Sequence, residues 1–224
     1  RHGLPLIDDV GAGSLVDFSQ FGFEPEPTLN ESVAAGADLI TSSGDKLIGA
    51  SQAGIILGRA DWIAAIRTNP LARIVRVDKL TLAALEATLS LFLDERVALA
   101  EVPTLAMIRR DKAPIDRQAQ RIAEAIKGAT DLAAVAVVDG FSQVGSGSLP
   151  TQNLATRLVA IDPRTFSPDE LGLRLRRHRP PVFTRIQNDR LLIDPRTMRD
   201  GDEPMLVEAV VQSLDPEIPR SRNP

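Results

Sequence analysis

The sequence contains no cysteine and only two histidines, His2 and His178, among its 224 residues. The absence of cysteine excludes disulfide bonds, thiolate metal sites and a cysteine nucleophile. Two histidines argue against a histidine-based metal site and against a serine–histidine–aspartate triad. Any chemistry must therefore depend on lysine, aspartate, arginine or a bound cofactor, and we expect no metal site.

Long apolar runs are also missing. No stretch approaches the roughly 20 apolar residues that cross a bilayer, and the first residues do not have the layout of a signal peptide. With 43% hydrophobic residues, the sequence predicts a globular, cytoplasmic protein of one or two domains with no membrane partner. Because the first residue is Arg1 and not Met, we expect a fragment of a longer chain.

Positive charge is in slight deficit, because 26 Lys and Arg residues stand against 30 Asp and Glu residues and the net charge is -4. This balance argues against a generally basic nucleic-acid-binding protein and against DNA as a partner, while a local basic patch can still contact RNA phosphates. One basic stretch between Arg109 and Arg121 is diluted by Asp111, Asp116 and Glu124. We interpret it as a solvated helix face.

A short apolar run near the start predicts a buried parallel strand. Leu4 to Ile7 is apolar, Asp8 and Asp9 close the run, and the glycine-rich turn 11–14 follows. In open α/β sheets, ligands bind beyond the carboxyl ends of the strands. The sequence therefore predicts a ligand site beside these residues.

Hydrophobic periodicity predicts helices and strands along the rest of the chain. Further strands are predicted at 38–41, 53–57, 133–138, 155–161, 182–185 and 190–193, with a hairpin-like turn within 185–190. Helices are predicted at 29–35, 60–67, 77–97, 104–127, 168–177 and 203–214, with Pro114 as a potential break in the fourth.

This order of elements indicates an α/β protein with a domain boundary near its middle. We expect residues 1–78 to belong to a large domain and 79–103 to form a connecting helix. Residues 104–215 are predicted to form a small α+β domain, and the proline-rich segment 216–224 a fraying tail.

The segment Thr41-Ser-Ser-Gly-Asp-Lys46-Leu-Ile-Gly-Ala50 places a lysine between small residues, directly after a predicted strand. Glycines on both sides let a flat ligand approach the backbone closely. A lysine amine forms a Schiff base when it is deprotonated, which burial favours. Taken alone, such a segment is more often a surface loop, so the flanking sequence decides between the two interpretations.

Four separated blocks together resemble the bacterial selenocysteine synthase family. They are the aspartate-glycine block 8–17, the lysine block with its following Gln-Ala-Gly-Ile-Ile segment, the run from Arg76 to Leu89, and the late Ser-Gln-Val-Gly-Ser-Gly-Ser-Leu-Pro block 142–150. The blocks occur in the family's order over most of the chain. The resemblance implies that the chain is the C-terminal two-thirds of a fold-type-I pyridoxal-phosphate enzyme, part of whose large domain precedes a small α+β domain.

The resemblance aligns Lys46 with the lysine that holds pyridoxal 5'-phosphate. It also implies an aspartate at a strand end that hydrogen-bonds the cofactor's ring nitrogen. We choose Asp8, because it ends the apolar run directly, whereas strand alternation points Asp9 to the other side. A turn or cap role for either aspartate is the alternative.

Two neighbours of the lysine are further expected site residues. Ser43 matches the position at which the fold commonly places a hydroxyl against the cofactor phosphate, and a capping serine is an equal alternative. Asp45 matches the family motif and would tune the amine or relay a proton. Lys46 and Asp45 are therefore the expected catalytic residues.

Arg73 and Arg76 are three residues apart, so they share one face if their segment is helical. A pair of guanidinium groups suits a tetrahedral oxyanion. The resemblance maps both onto arginines that bind selenophosphate, the selenium donor, whereas without it we would interpret them as a solvated face.

The reaction implied by the resemblance converts seryl-tRNA(Sec) to selenocysteinyl-tRNA(Sec), in a homo-oligomeric enzyme, with Lys46 as the base for the Cα proton. The phosphate loop and the tRNA-binding module of such an enzyme are expected outside these 224 residues. Two alternatives stay open: a related pyridoxal-phosphate lyase acting on a free small amino acid, and a non-catalytic fragment.

Overall fold

The computed structural model describes residues 4–145, 148 and 153–215. Contacts divide the chain into two compact units. The first contains the residues up to Arg109 together with 143–152, and the second contains 110–142 and the residues from Asn153 onwards. The tail expected at 216–224 lies outside the described residues, as does most of the Gly-Ser block at 146–150.

The first unit combines three strands with six helices in the part of the chain that the structure describes. The strands are β1 (Ile7–Gly11), β2 (Leu39–Ser43) and β3 (Gly54–Gly58). The helices are α1 (Leu29–Ala34), α2 (Ala60–Thr68), α3 (Pro70–Val75), α4 (Lys79–Leu91), α5 (Glu95–Glu101) and α6 (Pro103–Ile108).

The sheet of this unit has the order β1-β2-β3, with β1 parallel and β3 antiparallel to β2. Helix α1 connects the two parallel strands and begins with a capping box. Thr28 Oγ1 accepts from the Glu31 amide at 3.2 Å, and a Glu31 carboxylate oxygen accepts from the Thr28 amide at 2.7 Å. Such a cap stabilises a helix by about 1 kcal/mol, and it sets the point at which the chain turns back toward β2.

The hydrophobic core of the first unit includes a cluster around β2. Leu29, Ile40 and Ile48 are fully buried, and residues such as Val10 and Ile55 pack against them. Helices α2, α3 and α4 contain no fully buried residue. Large apolar side chains on and between these helices are instead exposed, among them Leu71, Ile74, Val75, Leu80 and Leu93.

The second unit is a four-stranded sheet with helices. Its elements are α7 (Lys112–Ala129), β4 (Ala133–Gln143), β5 (Asn153–Pro163), α8 (Pro168–Arg177), β6 (Arg185–Gln187), β7 (Arg190–Ile193) and α9 (Asp202–Leu214). The strand order is β4-β5-β7-β6, and β7 pairs antiparallel with both β5 and β6. Its core joins α7, α8, α9 and the sheet through residues such as Ile122, Leu171, Leu191 and Val210.

The predicted turn between β6 and β7 is confirmed. Asn188 and Asp189 have positive φ angles of 52° and 56°, and Gln187 pairs with Arg190 across the hairpin. Two central residues with positive φ are typical of the type I′ turn, in which Asn and Asp are favoured.

Two predicted strands begin three residues too early. The first starts at Ile7 rather than Leu4, and Leu4 and Leu6 are exposed. The strand instead continues through Asp8 and Asp9, which pair with β2. A prediction based on apolar residues did not include them because they are polar. In the second unit β6 starts at Arg185 rather than at 182, because the Val182 amide donates to the Leu175 carbonyl of α8 at 2.9 Å.

Two predicted helices are each broken in two. The helix expected at 77–97 stops after Leu91, and Asp94 begins α5 by accepting from the Arg96 amide at 2.9 Å. The helix expected at 104–127 is interrupted before α7 rather than at Pro114. Pro114 lies in the first turn of α7, where a backbone N–H group would have no acceptor within the helix, so proline is tolerated there.

The expected α/β class is confirmed, since both units combine a sheet with helices. The contacts divide the chain after Arg109, a few residues beyond the boundary expected at 104. Which unit corresponds to which functional domain stays a prediction.

Candidate cofactor-binding site

The end of β1 leads into a tight glycine turn. Gly11 and Gly13 both have positive φ, at 64° and 65°. A Cβ at Gly13 would lie 1.7 Å from Ser42 Oγ, so only glycine fits between this turn and the end of β2. The absence of a side chain at Gly13 therefore allows the ends of the two parallel strands to lie against each other.

Lys46 lies in the turn that follows β2. Backbone hydrogen bonds fix this turn: the Gly44 amide donates to the Ala53 carbonyl at 2.8 Å, and the Ala50 amide donates to the Gly44 carbonyl at 2.9 Å. The next residues, Leu47 and Ile48, are buried and anchor the turn in the core. Lys46 itself is half-buried.

The two turns meet beside a small cavity. The Leu47 amide donates to the Ala12 carbonyl at 3.4 Å. A cavity of about 160 Å³ is lined by Asp8, Asp9, Leu47 and residues of the glycine turn. This cavity is smaller than the roughly 300–1,000 Å³ of a typical ligand pocket, and Lys46 is not among the described residues that line it.

The two aspartates of β1 have different surroundings. Asp8 pairs with Ile40, and it is half-buried on the same side of the sheet as Val10. Asp9 is exposed on the other side, where its carboxylate accepts from Thr41 Oγ1 at 2.8 Å. Of the two carboxylates, only that of Asp9 is bonded within the described residues.

Ser43 and Asp45 lie on either side of Gly44. Ser43 is the half-buried last residue of β2, and its carbonyl accepts from Ser42 Oγ at 3.3 Å. By strand alternation its side chain is on the face of Asp9 rather than of Asp8. Asp45 is exposed.

Arg73 and Arg76 do not share a helical face, because their segment is not helical throughout; their role in binding the donor stays a prediction. Helix α3 ends at Val75, and Arg76 is extended with φ -64° and ψ 141°. Both side chains are exposed. No hydrogen bond or ion pair joins either of them to the Lys46 turn in the described part of the chain.

The residues at this site fit pyridoxal phosphate. Covalent attachment needs a lysine amine that no carboxylate holds, and in the described structure the Lys46 amine has no ion pair. The unbonded Asp8 carboxylate is able to accept a hydrogen bond from a ring nitrogen. The close contact between Gly13 and Ser42 shows that the ends of β1 and β2 lie directly beside each other.

The second unit contains a buried polar network that sequence reasoning missed. Arg196 is 4% exposed, and its guanidinium donates to Ser142 Oγ and to the carbonyls of Arg110 and Ala155. Burial lowers the pKa of Arg196, and the charge of Asp194 acts in the opposite direction. The Asp-Pro-Arg-Thr sequence after a strand was the available signal, since Asp194 caps the turn 195–197 by accepting from the Arg196 amide.

The basic stretch at 109–121 is largely bonded within its own unit. Lys112 pairs with Asp139 at 2.8 Å, and Arg121 pairs with Glu203 at 2.6 Å. Arg110 donates to the Pro195 carbonyl at 2.6 Å. These bonds leave few free cations for RNA phosphates in this stretch.

Neither a metal cluster nor a membrane span is found among residues 4–145, 148 and 153–215. No group of three His, Cys, Asp or Glu side chains has the spacing of a metal site there. No helix in this part combines the length and the apolar character that crossing a membrane requires.

Comparison with known proteins relates the chain to one family. The sequence profile of L-seryl-tRNA selenium transferase matches residues 1–199. The L-seryl-tRNA(Sec) selenium transferase of Solidesulfovibrio magneticus is 47% identical over 220 residues, which are 97% of this chain and 47% of that protein. The Geobacter sulfurreducens protein of the same name is 46% identical over 209 residues, or 93% of this chain and 45% of the relative.

The chain therefore spans about half the length of these curated relatives, less than the two-thirds expected from its motifs. Among solved structures, D-glucosaminate-6-phosphate ammonia-lyase superposes with a TM-score of 0.56 at 22% identity. The superposition covers 94% of this chain and 49% of the lyase chain. At this level of identity the likeness concerns the fold alone.

Proposed function

The chain belongs to the L-seryl-tRNA selenium transferase family, and from this premise we propose that it is part of an enzyme that converts seryl-tRNA(Sec) to selenocysteinyl-tRNA(Sec). The proposed donor is selenophosphate, the cofactor is pyridoxal 5'-phosphate, and the enzyme is a cytoplasmic homo-oligomer. The observation that carries the proposal is the half-buried, unpaired Lys46 in a turn bonded to the glycine turn after Asp8. The first unit would belong to the cofactor-binding domain, and the second would be the small domain.

Lys46 has two tasks in this proposal. Its Nζ would hold the cofactor covalently, and the amine, once free, would remove the proton from the seryl Cα. When bound, pyridoxal phosphate supplies an electron sink for the electron pair left on Cα. Lys46 Nζ would pass the Cα proton to the β-hydroxyl, which would leave as water. The selenium of selenophosphate would bond to the β-carbon, its proton would return to Cα through Lys46 Nζ, and water would cleave the P–Se bond to release phosphate.

Asp8 is proposed to hold the ring nitrogen. Its carboxylate has no partner in the described structure, whereas that of Asp9 is bonded to Thr41. A charged hydrogen bond to the ring nitrogen keeps that nitrogen protonated and strengthens the electron sink. Ser43 is proposed to contact the cofactor phosphate, and Asp45 to relay a proton beside Lys46.

Arg73 and Arg76 are proposed to bind the phosphate of the donor. Both guanidinium groups are exposed and unpaired within the described residues, which leaves them open to a soluble anion. Each guanidinium can give two parallel hydrogen bonds to a tetrahedral oxyanion. Because Arg76 lies beyond the end of α3, the two arginines would approach the phosphate from different directions.

The test is an assay of the protein expressed from its full reading frame with cofactor, seryl-tRNA(Sec) and labelled selenophosphate. We expect label on the aminoacyl ester of the tRNA, and no turnover of free serine or of other small amino acids. Turnover of a free amino acid without incorporation of selenium into tRNA would instead support the lyase alternative and contradict the proposal.

A further inference from the structure

The second unit has a strongly basic segment between residues 171 and 193. It contains six arginines and one histidine but a single acidic residue, Asp189, in a chain whose net charge is -4. Arg176, Arg177 and Arg179 are exposed there and form no ion pair with a carboxylate of the described residues. We refer to these three arginines as the basic edge.

Three other exposed arginines of the described chain are neutralised by neighbouring carboxylates. Arg59 pairs with two aspartates, Arg96 pairs with Asp94, and Arg121 pairs with Glu203. Free, closely spaced arginines are what a phosphate backbone attracts, because each contact releases counterions from the nucleic acid. The basic edge differs from these three paired arginines because its charges are available to a polyanion, and all three of them lie within four residues of the chain.

A groove of about 620 Å³ begins directly after the basic edge in the chain. One wall is the extended segment that includes Pro180, Phe183 and Thr184, and the opposite wall includes Met198 and Met205. The Phe183 side chain is 77% exposed although it lines the groove. An aromatic ring at the rim of an apolar slot offers a stacking surface for a flat, unpaired base.

One polar group that lines the groove has no hydrogen-bond partner among the described residues. It is the buried Thr184 Oγ1, whose unpaired state is unfavourable until a ligand bonds to it. The two acidic residues lining the groove are already bonded by protein groups. Asp194 accepts from Ser142 Oγ and Thr156 Oγ1, and Asp202 accepts from the Arg199 amide.

We propose that this groove binds a nucleotide from the single-stranded 3' end of the substrate tRNA, with the basic edge holding the neighbouring phosphates. The base would stack on Phe183 and hydrogen-bond to Thr184, and the cationic segment would track the backbone. This inference rests on the proposed function, which requires a tRNA substrate. A protein partner fits the groove less well, because the basic edge beside it contains three unpaired arginines and no carboxylate.

The test compares binding of intact tRNA(Sec) with binding of the same RNA after removal of its four unpaired 3' nucleotides. The protein is expressed from its full reading frame. Phe183→Ala should weaken binding of the intact RNA about 5- to 100-fold and leave binding of the trimmed RNA unchanged. Phe183→Tyr, which keeps a stacking ring, should bind intact RNA as the wild type does.

The basic edge is tested by the triple variant Arg176→Gln, Arg177→Gln, Arg179→Gln. Loss of three phosphate contacts should reduce the slope of log affinity against log salt concentration by about 2 to 3. The matched control replaces the paired, exposed Arg59, Arg96 and Arg121 by Gln, and it should keep the wild-type slope. Circular dichroism and melting temperature show that each variant is folded.

The outcomes separate this inference from the proposed function. If the wild type binds and converts the tRNA but Phe183→Ala affects both RNAs equally or neither, the groove assignment is overturned and the proposed function stands. An unchanged salt slope in the triple variant overturns the role of the basic edge. If the wild-type protein binds no tRNA, both the proposed function and the nucleotide-binding role of the groove are overturned. A protein would then be the expected ligand of the groove.

Discussion

At the scale of single residues, the candidate site depends on one lysine and on two neighbouring aspartates that have different surroundings. Lys46 was recognisable because small residues flank it, and the structure gives it a half-buried position in a fixed turn. The bond from Thr41 to Asp9 could not be predicted. It depends on the register between β1 and β2, which a single strand pattern does not contain.

Asp8→Asn in the full-reading-frame protein tests the choice between the two aspartates. Removing the charge opposite the ring nitrogen should lower selenium transfer about 10²- to 10³-fold. Asp9→Asn is the matched control, because it removes the same charge one residue away and should keep the rate within a few-fold. Rates measured at saturating cofactor decide the matter, and a greater loss in Asp9→Asn would reverse the assignment.

Arg73→Ala and Arg76→Ala test the donor site. Each variant loses one or two charged hydrogen bonds to the donor phosphate, worth roughly 1.5 to 3 kcal/mol each. Selenium incorporation at limiting selenophosphate should therefore fall steeply. The cofactor's spectral change on adding seryl-tRNA should persist, since no donor takes part in that step.

Arg67→Ala is a suitable control, because Arg67 is another exposed arginine, at the end of α2. It should behave as the wild type does in both assays. Equal losses of incorporation and of the spectral change in Arg73→Ala or Arg76→Ala would show that these arginines act in folding or tRNA binding instead.

At the scale of elements, hydrophobic patterns predicted which segments form helices and strands, but not where several of them end. Helix breaks at Asp94 and Asp111 occur where an aspartate begins a new helix inside an apolar repeat, so periodicity alone continues across them. Strand β4 runs on to Gln143, well beyond the predicted end at 138. The prediction ended too early because the last residues of the strand are partly polar.

Gly13→Ala tests the contact that holds the ends of β1 and β2 together. The new Cβ would meet Ser42 Oγ, and positive φ strains any L side chain. We expect a loss of about 2 to 5 kcal/mol in the free energy of unfolding, from backbone strain of about 1 to 2 kcal/mol and overpacking of about 1 to 3 kcal/mol. Denaturant titration measures it.

Gly11→Ala is the control, because Gly11 has the same φ sign but no atom within 4 Å of an added Cβ. It should show the strain alone, about 1 to 2 kcal/mol. The double variant Gly13→Ala, Ser42→Ala removes the hydroxyl and should recover part of the loss. Equal losses in the two glycine variants would mean that the strand ends do not depend on this contact.

At the scale of the whole molecule, the two units differ in how much core they contain. Among the described residues, 19 buried hydrophobic side chains belong to the second unit and 13 to the first. This difference was not predictable from composition, since both halves are rich in apolar residues. In the first unit, many of those residues are exposed on α3 and α4.

A fragment of residues 110–215 should consequently fold alone. We expect a cooperative thermal transition and a monomeric solution, because its core is complete within the fragment. The matched fragment 4–109 should aggregate or melt without a cooperative transition, since its exposed apolar surface lacks cover. Calorimetry and light scattering distinguish the two, and a cooperative 4–109 fragment beside an unfolded 110–215 fragment would contradict this account.

The central claim is that Lys46 holds the cofactor, and borohydride reduction tests it most directly. The full-reading-frame protein is loaded with pyridoxal phosphate, reduced, digested and mapped by mass spectrometry, with Lys46→Ala as the parallel sample. The account predicts a phosphopyridoxyl group on the peptide containing Lys46 and no cofactor absorbance in the variant. A reduced adduct on another lysine such as Lys79, or one that persists in Lys46→Ala, would contradict it.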